Sequence, residues 1–347
     1  MVEKVEKILY GSRWKGFLGF ISLILLLPTV VSSQYVFTLL ILIGIYCIIT
    51  IGLSLLIGYA GQISIGHAAF VGIGAYISGV LTVKYNVSAW LAMGIGMVVT
   101  FLIAYGVGQQ VLKLKGHILA LATIAINIIV YILMVGLSDY TGGAGGLVSI
   151  PNLSLFGLDL GNQIYFYFFV WSVVFIVILF STNIIRSNIG RILRSIHDSE
   201  IGTETLGVNV TKYKVAIFAL SAVFASMAGS LYAHYINFIA PPTFYISFSI
   251  LLLVMVMVGG VHSIWGAIMG TAAIMFLNEI IRFVGHTYFN INGEVEIVVY
   301  GLIIILVMIF IPKGLVGVLD FSKIKSFRRS VKDEVKVKEN IASEEGV

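Results

Sequence analysis

The sequence predicts an all-α polytopic membrane protein of about ten transmembrane helices, and three observations carry that prediction. Apolar runs of about 20 residues recur along the chain, the length needed to cross a bilayer core as a helix. Hydrophobic residues make up 59% of the 347 positions and charged ones only 11%, with a mean hydropathy of +1.05. Soluble domains are roughly half apolar and a quarter charged. The basic residues, finally, sort to one side of the spans, as they do in proteins inserted with positive loops inside.

Taken in order, the candidate spans are 17–33, 35–57, 66–83, 89–112, 118–137, 164–182, 214–235, 247–260, 264–281 and 297–311. The first has a competing reading: a basic start, an apolar run from Phe17 to Val31 and "VSSQ" also fit a secretory leader. Spans 247–260 and 297–311 are short, so they either extend into neighbouring loops or are broken helices. With the N-terminus inside, 19 of the 21 Lys and Arg residues are cytoplasmic and only Lys84 and Arg282 fall outside. Both termini are then cytoplasmic. The basic pI near 9.1 is therefore topology, with some attraction to membrane lipid, and no sign of nucleic-acid binding. One transmembrane domain covers 1–320, with an extracellular loop at 138–163 and a cytoplasmic loop at 186–214. The tail 321–347 is charged, poor in core-forming residues and expected to be a cytoplasmic extension. Cys47 is the lone cysteine, so no disulfide framework exists.

The stretch "GYAGQISIGHAAFVGIGAYISG", 58–79, carries six glycines with Gln62, Ser64 and His67 among them. A broken or re-entrant segment is expected near 58–67, since non-helical backbone survives at membrane depth only inside protein or along a wet cavity. Two roles stay open for Gly61, Gln62, Ser64 and His67: a substrate path facing a wet cavity, or cross-links in tight helix packing. Ala68, Gly72, Ala75 and Gly79 follow at spacings of four, three and four, which puts them on one helix face for close approach of another backbone. A second stretch, "GGVHSIWGAIMG" at 259–270, repeats the order glycine, Ser-Ile, glycine. It predicts an internal repeat, a second break near 259–265, and packing roles for Gly266 and Gly270. The loop 186–214 mixes Arg191, Arg194, His197, Asp198, Glu200 and Glu204 over a helix-compatible run ended by Gly207. It is either a short amphiphilic helix docking on a soluble partner or a solvated loop.

Several stretches together resemble a known family: "GYAGQISIGHAAFVGIGAY", "LKGHILALATIAINIIV" with "TGGAGGLVSIP", "GRILRSIHDSEIGTETLGVNVTKYKVAIFALSAVFASMAGSLYAHY", "MVMVGGVHSIWGAIMG" and "IPKGLVG". They look like permeases of the branched-chain amino acid ABC importers, of the LivM type, from about Ile51 to Gly317. The resemblance implies a multi-pass subunit of the cytoplasmic (inner) membrane that translocates branched-chain or related amino acids. It implies four further partners: a second permease subunit (LivH-like), two cytoplasmic ATP-binding subunits and an extracytoplasmic solute-binding protein. Residues 61–67 would then lie on the translocation path. The 190–207 stretch would be a coupling helix, with Arg194, Asp198, Glu200, Glu204 and Gly207 its contacts. Its acidic motif matches only in part, because Glu200 precedes Ile201 and Gly202 while Glu204 precedes Thr205 and Leu206. Urea, short amides and other small solutes are alternative loads within the same architecture.

Other functions are excluded or disfavoured by what the chain carries. No GxxxxGK[ST] occurs, so no cofactor is expected on this chain and ATP would be used by the partner subunits. "TGGAGG", 141–146, lacks lysine and is expected to be a flexible or nest-like external loop. The six histidines are scattered without HExxH or paired carboxylates, so neither a metal site nor catalysis is expected. Glu279 and Arg282, three apart, are expected to pair at a helix end. An ion-coupled secondary transporter or channel would usually place ionisable groups at mid-membrane, and almost none are present.

Overall fold

The computed structural model describes residues 33–284, except 115, 156 and 157, together with positions 22, 24, 28, 302 and 315. The expected spans 17–33 and 297–311, the leader alternative and the tail 321–347 lie outside the described residues. Among the described residues, eight helices are long and apolar enough to cross a membrane. This is an all-α multi-pass membrane protein.

α1 (Gln34–Ser54) is apolar on every side and buried along most of its length. A helix with no polar face has no preferred outside, so it becomes the axis around which others pack. Its last turn widens into a π turn over Leu55–Tyr59, after which the chain leaves helical geometry until α2 (His67–Tyr85). α3 (Ala89–Val111) follows and packs on α2, and α4 (Gly116–Gly136) comes after it with little contact to α3. α6 (Gln163–Arg186) returns beside α1, and α9 (Val210–Ile236) fills the space between α1, α2 and α3. α10 (Ile246–Gly259) and α11 (Ile264–Val284) cross each other against α1. The 14-residue α10 is preceded by a 3-10 turn, Pro241–Phe244, and the two together make the crossing Pro241–Gly259. The short span thus extends into its neighbouring loop.

Centre and periphery differ in how the membrane is met. α3, α4 and α6 leave Leu102, Leu121, Ile129, Ile132 and Ile176 exposed, which hydrocarbon tolerates as readily as protein does. The central helices instead meet through backbone. A Cβ on Gly229 of α9 would lie 1.9 Å from the Val71 carbonyl oxygen, and one on Gly74 of α2 2.2 Å from that of Ser226. That seam joins α2 to α9. The face of Ala68, Gly72, Ala75 and Gly79 looks elsewhere: Gly72 meets Met134 and Phe244, and Gly79 meets Leu147 and Ile150. At the α10–α11 crossing, a Cβ on Gly270 would lie 2.0 Å from Met255 O, and Gly259 is packed on Gly266 O.

The segment 138–163 is more ordered than a flexible loop. It holds α5 (Ser138–Thr141) and β1 (Leu147–Val148), then the hairpin of β2 (Ser154–Leu155) with β3 (Leu158–Asp159). β1 pairs antiparallel with β4 (Phe238–Ile239), Leu147 opposite Ile239, and so ties the segment to the end of α9. Gly142, Gly143 and Gly146 adopt positive φ in a closed turn. The cytoplasmic loop also differs from expectation. It forms two helices, α7 (Asn188–Asp198) and α8 (Glu200–Thr205), not one. Ser199 is extended (φ −160°) and its hydroxyl caps α8 by accepting from Gly202 N–H, which breaks the run.

Candidate functional site at the helix breaks and the charged loop

The two breaks come together on the face that carries α7 and α8. Gly58, in the π turn, has no room for a side chain, because a Cβ would lie 2.0 Å from Val261 O. Around it the breaks are zipped by hydrogen bonds. Ser54 Oγ donates to Val261 O at 2.9 Å, Tyr59 OH to His262 O at 2.9 Å, and His262 Nδ1 to Gly58 O at 2.8 Å.

Backbone groups freed by the first break are taken up by side chains from other helices, as a membrane interior requires. Ile65 N–H donates to Thr123 Oγ1 of α4 at 3.0 Å, and Ala68 N–H to Ser249 Oγ of α10 at 2.9 Å. His67, 1% exposed, bridges Ser64 Oγ at 3.0 Å and Ser221 Oγ of α9 at 2.7 Å. A neutral imidazole has one N–H and one lone pair, so it donates to one hydroxyl and accepts from the other. Its ring also stands edge-on to Phe70 and Phe218.

The charged loop seats directly on this break. Ser187 caps α7, whose Leu193 and Ile196 turn inward, and Ser195 bonds Thr203 across the α7–α8 corner at 2.8 Å. His197 covers Gly61, which holds φ +65°, and its ring stands 5.2 Å from that of His262. Glu200 Oε1 receives the ammonium of Lys214 and, at 3.4 Å, the amide of Gln62, whose Nε2 also donates to Ala60 O at 2.9 Å. Lys214 itself is 2% exposed.

Gly61, Gln62 and Glu200 are therefore brought together, while Asp198, Glu204 and Gly207 are exposed and Arg194, also exposed, lies near enough to Tyr59 to act on it electrostatically. Gly266 and Gly270 lie in the α10–α11 crossing. Gln62, Ser64 and His67 are buried within this chain and engaged in its own hydrogen bonds, not set on an open face. Within this chain their contacts are those of cross-links, while Gly61 and Ile63 between and beside them are exposed. Sequence reasoning missed Lys214 as a partner, counting it only as a cytoplasmic marker. It named His197 only as one of the loop's charges, and missed His262, Thr123, Ser221 and Ser249. The available signal was the isolated hydroxyl in an apolar helix, as in "ALATIAI". Among the described residues no group of three metal-ligating side chains occurs. The arrangement joins a loop to a discontinuity between two spans.

Comparison with known proteins places this geometry in context. The family model described as "Branched-chain amino acid transport system / permease component" matches residues 35–308. A relative from Salmonella typhimurium, the high-affinity branched-chain amino acid transport system permease protein LivM, is 29% identical over 294 residues, covering 78% of this chain and 67% of the relative. The protein of the same name from Escherichia coli matches to the same extent. A probable branched-chain amino acid transport permease protein LivM from Methanocaldococcus jannaschii is 23% identical over 331 residues, covering 82% of this chain and 94% of that one. No solved structure matches.

Proposed function

The chain belongs to the permease-component family of branched-chain amino acid transport systems, and from that premise we propose that it is the membrane-spanning subunit of an ATP-driven importer. It passes branched-chain amino acids, delivered by an external solute-binding protein, across the inner membrane. It works beside a second permease subunit and is driven by two cytoplasmic ATP-binding subunits, which hydrolyse the ATP this chain does not itself hold.

The observation that supports this reading is the two-sidedness of the α7–α8 loop. Its inner side is seated on the helix break, while its outer side leaves Ile201 71% and Leu206 78% exposed beside Glu204. The bias of basic residues puts that side in the cytoplasm. Apolar groups ringed by charge on a short, well-anchored projection suit a groove on a soluble protein. The inner end of the solute route lies by the 60–66 break, which the loop can displace.

Reconstitution into proteoliposomes with the ATP-binding and binding-protein subunits tests the reading. ATP-dependent uptake of leucine, isoleucine or valine is expected, with none when an ion gradient replaces ATP. Glu204→Lys should weaken co-purification of the ATP-binding subunits about tenfold, since a charge misplaced in a docked contact is poorly tolerated. Uptake driven by an ion gradient alone, or normal co-purification of that variant, would count against it.

A further inference from the structure

Glu200 is, from its position in the loop, an equal candidate with Glu204 for the partner-facing contact, yet its contacts point inward. We infer that Glu200 is a positioning residue: with Lys214 and Gln62 it fastens the α7–α8 loop to the 60–66 break, so that loop and break move as one body. The inference rests on the importer reading above and adds the link through which displacement of the loop reaches the membrane interior.

Three elements meet at one carboxylate. Glu200 opens α8, Lys214 lies in the second turn of α9, and Gln62 lies in the break itself. Lys214 is 2% exposed, and an unpaired charge there is strongly disfavoured, so the carboxylate cannot leave it cheaply for an outside partner. The amide of Gln62 is already oriented by Ala60 O, so it presents an N–H to Glu200 in a fixed direction. A second contact runs parallel to the first. A Cβ on Gly61 would lie 3.2 Å from His197 Cδ2 and 3.6 Å from His197 Cα, so the last turn of α7 rests on the break without intervening atoms. Beyond His197 the contact continues to His262 and the second break. Glu204, four residues on, shares none of this and is exposed.

The importer in proteoliposomes reads the link as solute carried per ATP hydrolysed, a ratio that a merely structural role would leave unchanged. Glu200→Gln and Lys214→Met should keep the ATP-binding subunits and their hydrolysis while the ratio falls about tenfold. The double exchange Glu200→Lys with Lys214→Glu should recover most of it, because the Gln62 amide can donate or accept. An unchanged ratio in the single variants overturns the inference. So does loss of the ATP-binding subunits matching that of Glu204→Lys, which would make Glu200 a docking contact. If the single variants do not assemble, Gly61→Cys with His197→Cys decides, since it leaves the three linked side chains in place. Oxidation of that pair should leave uptake within about twofold of the reduced form if the two parts travel together; uptake that stops on oxidation shows that they must separate. No ATP-driven uptake by the unmodified chain overturns the importer reading, and the link with it.

Discussion

The two helix breaks solve one problem in opposite ways. At 61–66 the chain stays non-helical; its first N–H groups bond back to Ile57 O and Leu56 O, and side chains from α4, α9 and α10 take Ile65 N–H, the His67 ring and Ala68 N–H. At 260–263 the chain turns at once through Gly260 (φ +114°), and α10 and α11 cross so closely that backbone meets backbone at Gly259, Gly266 and Gly270. The first break is chiefly wired, although Gly58 and Gly66 also abut backbone at Val261 O and Thr123 O, and the second is chiefly wedged. A wired break depends on chemical identity and allows rearrangement of partners; a wedged one depends on volume and acts as a fixed pivot. The loop that faces the cytoplasm touches the wired one through Glu200.

This contrast can be broken most severely at the wedge. Gly270→Leu puts a side chain where Met255 O lies 2.0 Å from the new Cβ, and a helix backbone cannot give way as a side chain can. A loss above about 3 kcal/mol is expected, seen as loss of monodisperse protein in detergent. At the wired break, His67→Ala leaves the Ser64 and Ser221 hydroxyls without their partner and opens space beside Phe70 and Phe218. It should lower stability by about 3 kcal/mol, read as a fall in thermal midpoint. Thr123→Val keeps volume and removes the acceptor for Ile65 N–H together with the hydroxyl's own bond to Ala120 O, for about 1–2 kcal/mol in the same measurement. The smallest effect belongs to the zipper between the breaks. His262→Phe removes one bond to Gly58 O at a partly exposed position and should cost less than about 1 kcal/mol. A larger loss there than in Thr123→Val would mean that the second break, too, is held by its polar contacts.

Much of this was legible in the sequence, for physical reasons that differ by element. The described spans follow from apolar run length, and both breaks from glycine clusters beside polar residues, because membrane burial restricts what such a cluster can be. Gly266 and Gly270 stood out because 259–270 repeats the residue order of the first glycine-rich stretch. The α2–α9 seam did not, since Gly74 sits between the positions of an obvious small-residue face and Gly229 lies 155 residues away. Nor did the corner in the charged loop. Ser199 occupies a site compatible with helix by spacing, and only its hydroxyl's choice of Gly202 N–H ends α7 there. The link of Glu200 to Lys214 and Gln62 was invisible for a deeper reason. Composition shows where charges lie in a loop, whereas direction depends on which face of a six-residue helix the rest of the molecule occupies.

The wiring of the first break also constrains how the protein is made. Ser249, which receives Ala68 N–H, follows it by 181 residues, and Ser221 follows His67 by 154. Thr123, the nearest of these partners, follows Ile65 by 58. When residues 61–66 leave the ribosome, the Leu56, Ile57 and Ala60 carbonyls that take Gln62 and Gly61 donors are already made, but Thr123, Ser221 and Ser249 are not. The segment must therefore wait at the water-facing edge of the bilayer or inside the insertion machinery, and α2 reaches its final seat only after α9 and α10 have been delivered. Translation order thus makes the early part of this chain the last to settle.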